Sequence, residues 1–173
     1  MNNLYIRKCI KGVALFLACM SAALACLCFV ACNTQRQEVD VVLFTGQSNM
    51  VGRETEIREV EIPKGYAYEY KYADNHLSEL KNPVGETIGD GDGQLEISSG
   101  SSIVPKFCLE YVRATGRRIV AVHAAHGGRS ISFFVENQPM YNSIVAKYRA
   151  CLNYLNKSRR YKVGRCFYVM FQC

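Results

Sequence analysis
The chain has 173 residues, 49% apolar and 21% charged, which fits one globular domain and excludes a disordered tail or a collagen-like repeat. The net charge of +6 is uneven: residues 1–32 hold Arg7, Lys8 and Lys11 and no acid, while the remaining 141 residues carry 18 Lys and Arg against 15 Asp and Glu. That excess is mild and gives no reason to expect a nucleic-acid partner. The nine Cys contain no C-x-x-C pair and there are three His, so zinc-ribbon and zinc-finger spacings are absent and no metal is expected.

Asn2 to Lys11 is short and basic, and Gly12 to Ala31 is twenty residues without a charge, long enough to span a bilayer. Phe29-Val30-Ala31-Cys32 closes this segment with an apolar, a β-branched and a small residue before a cysteine, and polar Asn33-Thr34-Gln35-Arg36-Gln37 follows. The ending resembles a bacterial lipobox. Residues 1–32 are therefore expected to be a lipoprotein signal peptide, Cys32 the lipidated first residue, and 33–38 a polar tether. The expected location is the cell envelope, periplasm or cell surface, with the membrane reached through a lipid anchor on Cys32. A signal cleaved elsewhere, for instance at Ala23-Leu24-Ala25-Cys26, and an uncleaved anchor stay open. Export implies a non-cytosolic, oxidising setting. Cys108, Cys151, Cys166 and Cys173 remain after Cys32; they read as buried thiols, with disulfides permitted by their even count.

Val39 to Phe44 is a β-branched apolar run ended by Thr45-Gly46, and reads as a strand buried on both faces. Tyr66 to Tyr72 alternates tyrosine with other residues and suggests a second strand. Lys81 to Gly100 is rich in Gly and acids and reads as a loop. Its Gly89-Asp90-Gly91-Asp92-Gly93 lacks the spaced ligands and terminal Glu of a calcium loop, so an active-site loop is the better expectation. Pro105 to Thr115 is expected to be a helix, with Ser102 as cap and Gly116 at the exit. Arg118 to Ala125 is the next buried strand. Tyr141, Ile144, Val145, Tyr148, Leu152 and Leu155 define an amphipathic helix. Cys166 to Phe171 is the last strand, directly before Gln172-Cys173.

This alternation predicts an α/β fold with a mainly parallel sheet, whose ligands gather at the carboxyl ends of the strands. Three turns fall there: Gly46-Gln47-Ser48-Asn49-Met50, His126-Gly127-Gly128-Arg129-Ser130, and Gln172. Ser48 leaves a buried strand by a tight glycine turn, where neighbouring N–H groups can face an oxyanion. A plain helix-capping serine fits the same position.

Gly46-Gln47-Ser48-Asn49-Met50 after an apolar strand resembles the nucleophile block of SGNH-type esterases, nearest the sialate O-acetylesterase-like group akin to carbohydrate esterase family six. The resemblance continues at Asn82-Pro83-Val84-Gly85-Glu86, Gly91-Asp92-Gly93, Ser102-Ile103-Val104-Pro105 and Ala125-His126-Gly127-Gly128-Arg129-Ser130-Ile131. It spans about residues 39–172, within a single esterase-like domain over 39–173. It implies a flavodoxin-like three-layer sandwich and deacetylation of an acetylated carbohydrate through a serine acyl-enzyme, without cofactor or metal. Ser48 would be the nucleophile, its own N–H and that of Gly127 or Gly128 (Gly128 by preference) would hold the oxyanion, Gln47 and Asn49 would shape the turn, and Gln172 would open the family's Gln-Gly-Glu-x-Asp block.

After Gln172 the chain departs from that pattern. It reads Cys173, and neither the rest of the block nor the family's later Asp-x-x-His segment, which supplies the base, is present. A serine attacks an ester efficiently only with a base in reach. His126 is near the second block but reads as a surface loop residue, and His123 as a packed strand residue. The expectation is a C-terminally truncated esterase with weak or no turnover, a sheet incomplete at its C-terminal edge and marginal stability. The alternative is a lipid-anchored carbohydrate-binding pseudo-enzyme.

Overall fold
β1 (Gln37–Gly46) lies between β4 and β5, and Val39, Val41, Val42 and Phe44 along it are fully buried. The computed structural model describes residues 35–172; the signal segment, Cys32 and Cys173 lie outside them. β1 is followed by a single-turn helix α1 (Ser48–Val51), β2 (Ala67–Lys71), β3 (His76–Glu79), α2 (Ile103–Thr115), β4 (Arg118–Ala125), α3 (Pro139–Lys157) and β5 (Tyr161–Phe171). The sheet order is β3-β2-β4-β1-β5. β1 runs parallel to β4 and β5, β4 runs parallel to β2, and only β3 is antiparallel. The predicted α/β class and mainly parallel sheet are therefore present, consistent with a flavodoxin-like sandwich.

Alternation along the strands sorts the core into two faces. Val42, Phe44, Ile119 and Ala121 pack under α1 and α2, and Val39, Val41, Val120 and Val122 pack under α3. Ser102 caps α2 as expected: its hydroxyl oxygen accepts from Val104 N at 3.3 Å. The same hydroxyl lies 3.3 Å from Met50 O and donates to it, tying α2 to α1. Gly116 N bonds Val112 O at 2.8 Å where the helix exits. Ser102→Ala should cost about 1 kcal/mol, read as a lower urea midpoint for the full chain, and Ser102→Thr should keep most of it. An unchanged midpoint in the alanine variant would remove the cap from the account.

Several boundaries differ from expectation. α2 starts at Ile103, two residues before Pro105, because Ser102 rather than the proline sets the entry. β3 was unforeseen; it pairs Tyr68 with Glu79 through Lys71 with His76, a hairpin partner for β2 with little apolar signal of its own. β5 begins five residues early, at Tyr161, because Gln37–Val39 of β1 offers it hydrogen-bond partners. The pairing then slips, from Val39↔Val163 to Val41↔Cys166, opposite Asp40.

Asp40 exploits that bulge. It is fully buried, and its carboxylate accepts from Arg117 Nε and Nη2 (both 2.6 Å), Tyr111 Oη (2.5 Å) and Arg165 N (2.7 Å). Burial pushes its pKa up, but these donors and the Arg117 charge outweigh it and hold the group at about 2.

Two side chains correct the sequence reading. The buried face of α3 is Met140, Ile144, Lys147, Cys151 and Leu155, so a lysine sits in phase with the core. Its ammonium reaches Glu86 Oε2 at 2.9 Å. Cys166 is exposed rather than buried, because β5 is the sheet edge. Tyr168 and Phe171 on the same strand are 71% and 42% exposed. Cys108 and Cys151 are buried free thiols, as expected. No helix among the described residues is long and apolar enough to cross a membrane.

Candidate functional site
The parallel register brings the ends of β1, β4 and β5 level, so the three motif turns meet. His126 N donates to Gly46 O at 3.1 Å, and Gln47 N donates to Phe171 O at 3.1 Å. Gln172 Nε2 donates to Arg129 O at 3.0 Å, tying the end of β5 to the second turn. Backbone bonds of neighbouring strands therefore flank the Ser48 turn on both sides.

Ser48 is the first residue of α1 and is half-buried. Met50 N and Val51 N bond back to Gln47 O (2.8 and 3.0 Å), and Gly52 N bonds to Ser48 O (3.0 Å). The N–H of Ser48 lies outside that ladder, as a first-turn donor should. The far end of α1 is pinned by His123, whose Nε2 is 3.0 Å from Met50 O. A carbonyl only accepts, so Nε2 carries the proton and the buried Nδ1 is left without a partner. His123 is the packed strand residue the sequence suggested, and burial, aided by the charges of Lys147 and Lys71, lowers its pKa to about 4 against the Met50 bond.

The second turn divides its two glycines. Gly127 N donates to Glu96 Oε2 at 2.8 Å, and the same oxygen accepts from Arg53 Nη2 at 2.6 Å. That fastens Gly127 and leaves the Gly128 N–H without an acceptor among the described residues. Gly128 has φ +70°, and the space where a Cβ would project is open. His126 is buried, not a surface residue: its Nδ1 is 2.7 Å from Gln94 O, and its Nε2 is 3.7 Å from Glu96 Oε1. Its ring thus faces the 94–96 segment.

The remaining motifs are anchors. Asp92 pairs with Arg129 at 3.0 Å, which spends that carboxylate, and Arg129 also bonds Gly91 O at 3.2 Å. Gly85 N donates to Glu69 Oε1 at 2.7 Å, and Lys71 Nζ donates to Gly85 O at 3.0 Å. Glu86 accepts from Tyr72 N, Ala73 N and Lys147. Burial raises its pKa, but these donors prevail and hold it below the usual carboxylate value. Asn82 bonds Arg58 O and Ser102 N, each at 3.0 Å.

A cleft of about 750 Å³ opens beside the Ser48 turn, on its Asn49 side. Asn49, Arg53, Arg58, Asn82, Lys106 and Phe171 line it. Each of its three cations already faces a carboxylate: Arg53 with Glu96, Arg58 with Glu54, and Lys106 with Glu110.

Sequence reasoning missed Glu96, Arg53 and Lys147. Glu96 and Arg53 meet across 43 residues, and nothing local marks either. Lys147 had a signal, its in-phase spacing with Ile144 and Cys151.

The family described as carbohydrate esterase, sialic acid-specific acetylesterase, matches residues 38–161. Among solved structures, a protein from Arabidopsis thaliana is similar with a TM-score of 0.53 at 16% identity, over 76% of this chain and 56% of that one. The chain thus spans little more than half the length of that relative, and the likeness concerns the fold. No curated protein matches the sequence.

Proposed function
Because the chain belongs to the sialic acid-specific acetylesterase family of carbohydrate esterases, we propose that it receives an O-acetylated sugar in the cleft beside the Ser48 turn, with Ser48 as the acyl-accepting nucleophile. The observation that carries this reading is the junction of the two turns: Gly46, two residues before Ser48, accepts from His126 N, directly before Gly127–Gly128, and Glu96 fastens Gly127 while Gly128 N–H stays open. Ser48 Oγ would add to the acetyl carbonyl, and the N–H groups of Ser48 and Gly128 would take the oxyanion. Collapse would release the sugar hydroxyl and leave an acetyl-serine for water to cleave. Gln47 and Asn49 would hold the turn, Gln172 would brace it through Arg129, and the Asn and Arg side chains of the cleft suit sugar hydroxyls.

The proton on Ser48 is the weak point. His123 is locked onto Met50 O and His126 onto Gln94 O. His76, the remaining histidine, lies on β3 at the far edge of the sheet. Turnover by this chain is therefore proposed to be weak, and the same observation favours a second reading, a carbohydrate-binding protein without turnover. Cys32 is proposed as the lipid attachment point that would hold either one at a bacterial cell envelope.

The full chain, incubated with an O-acetylated sialic acid, should release acetate slowly, and Ser48→Ala should cut that release at least about tenfold. Equal release from Ser48→Ala would remove the nucleophile. Calorimetric binding without release would select the second reading, and neither binding nor release would overturn both.

A further inference from the structure
α3 and β5 bring two cysteines together on the face of the sheet away from α2. Cys151 is fully buried in the cluster that contains Val41, and Val41 pairs directly with Cys166 across β1 and β5. Burial, together with the neighbouring Cys166 thiol, raises the pKa of Tyr148, one turn before Cys151 on α3. α3 packs against β5, and Cys166 is near enough to add to the burial that raises the Cys151 thiol; a disulfide needs the two Cα atoms about 4.4–6.8 Å apart. Cys108 packs in the cluster on the opposite face of the sheet and is no competitor.

We propose that Cys151 and Cys166 form a disulfide-bond site, closed in an oxidising compartment, that staples the edge strand β5 to α3. The exposed Cys166, as thiolate, attacks one sulfur of a small or enzyme-borne disulfide. The oxidant's S–S bond breaks, a mixed disulfide forms on Cys166, and one thiol leaves. Cys151 then gives its proton to solvent and attacks Cys166 Sγ; the mixed bond breaks and the second thiol leaves. Two protein thiols are oxidised and one oxidant disulfide is reduced to two thiols. The second step is the slow one, because burial holds the Cys151 thiol well above its ordinary value. Its rate should rise with pH.

The staple has a physical purpose. β5 is held by β1 on one side only, and it carries the Phe171 carbonyl that orients Gln47 beside Ser48. The bond closes a loop of about 15 residues, which removes freedom mainly from the unfolded chain.

The reduced full chain, purified in detergent, is exposed to oxidised glutathione, alkylated, and digested with trypsin and chymotrypsin so that Cys166 and Cys173 fall in separate peptides. The expected result is a linked pair of the Cys151 and Cys166 peptides and loss of Cys166 alkylation. The oxidised chain should also have a higher urea midpoint, reversed by dithiothreitol and absent in Cys166→Ser. Full alkylation of Cys151 after oxidation, a link from Cys166 to any other cysteine, or a bond between two chains would overturn the proposal.

Discussion

Gly46→Ala is expected to lower stability by about 2–4 kcal/mol and to displace the Ser48 turn. Gly46 closes β1 with φ +133°, a conformation that side-chain-bearing residues rarely adopt. A Cβ there would lie 2.1 Å from Phe171 O, 2.8 Å from Phe171 C and 3.0 Å from Phe171 N. All three are backbone atoms of the neighbouring strand, so no rotamer change relieves the clash. Strain of this kind costs about 1–3 kcal/mol. Pushing β5 aside also breaks the bond from Gln47 N to Phe171 O, adding about 1 kcal/mol. The full chain should melt on the order of 10 °C lower, and Gln47 and Ser48 should gain amide exchange ahead of the rest of the sheet. A loss under about 0.5 kcal/mol would mean that β5 yields freely at this point.

Acidification should weaken the fold through His123. Its pKa is near 6.5 when unfolded and about 4 when folded, because burial opposes the charge. Between those values the unfolded chain binds the extra proton. The stability that neutral His123 allows is therefore present above pH 6.5, and it is lost as pH falls through about 4. The shift corresponds to about 3 kcal/mol. Asp40 extends the loss to lower pH: its folded value of about 2 lies below the unfolded 3.8, so its contribution disappears as pH falls through that interval. His123→Gln keeps an N–H for Met50 O and removes the titration. The slope of urea stability between pH 6.5 and 4 should flatten in that variant; an unchanged slope would assign the acid sensitivity elsewhere.

How much of this was legible in the chain depends on how local the physics is. β1, β4 and the two long helices were readable because burial imposes period 2 or 3.6 on neighbouring residues. The Ser102 cap and the Gly116 exit were readable because a helix end is satisfied by residues a few positions away. The turn Gly46 to Met50 was readable for the same reason: a serine after a tight glycine turn is a local arrangement. The family resemblance seen in that turn and in Gly127-Gly128 agrees with the matched region.

What only the tertiary structure decided is everything that depends on partners distant in the chain. The sequence offered Gly127 and Gly128 as equals apart from the family's pattern; the Glu96 carboxylate, brought up by the 94–96 segment, separates them by taking one N–H. His126 read as a surface residue, and Gln94 O and Glu96 cover it. Lys147 drew no notice in the sequence, and Glu86, 61 residues away, makes its burial tolerable. Cys166 read as buried because its strand is apolar on both faces, but exposure follows from where the strand lies in the sheet, and β5 lies at the edge. The physical reason is common to all four. Periodicity reports that a side chain wants cover or a partner within its own element, whereas charge pairing, desolvation and edge exposure are set by which elements become neighbours, and that ordering exists only once the sheet is assembled.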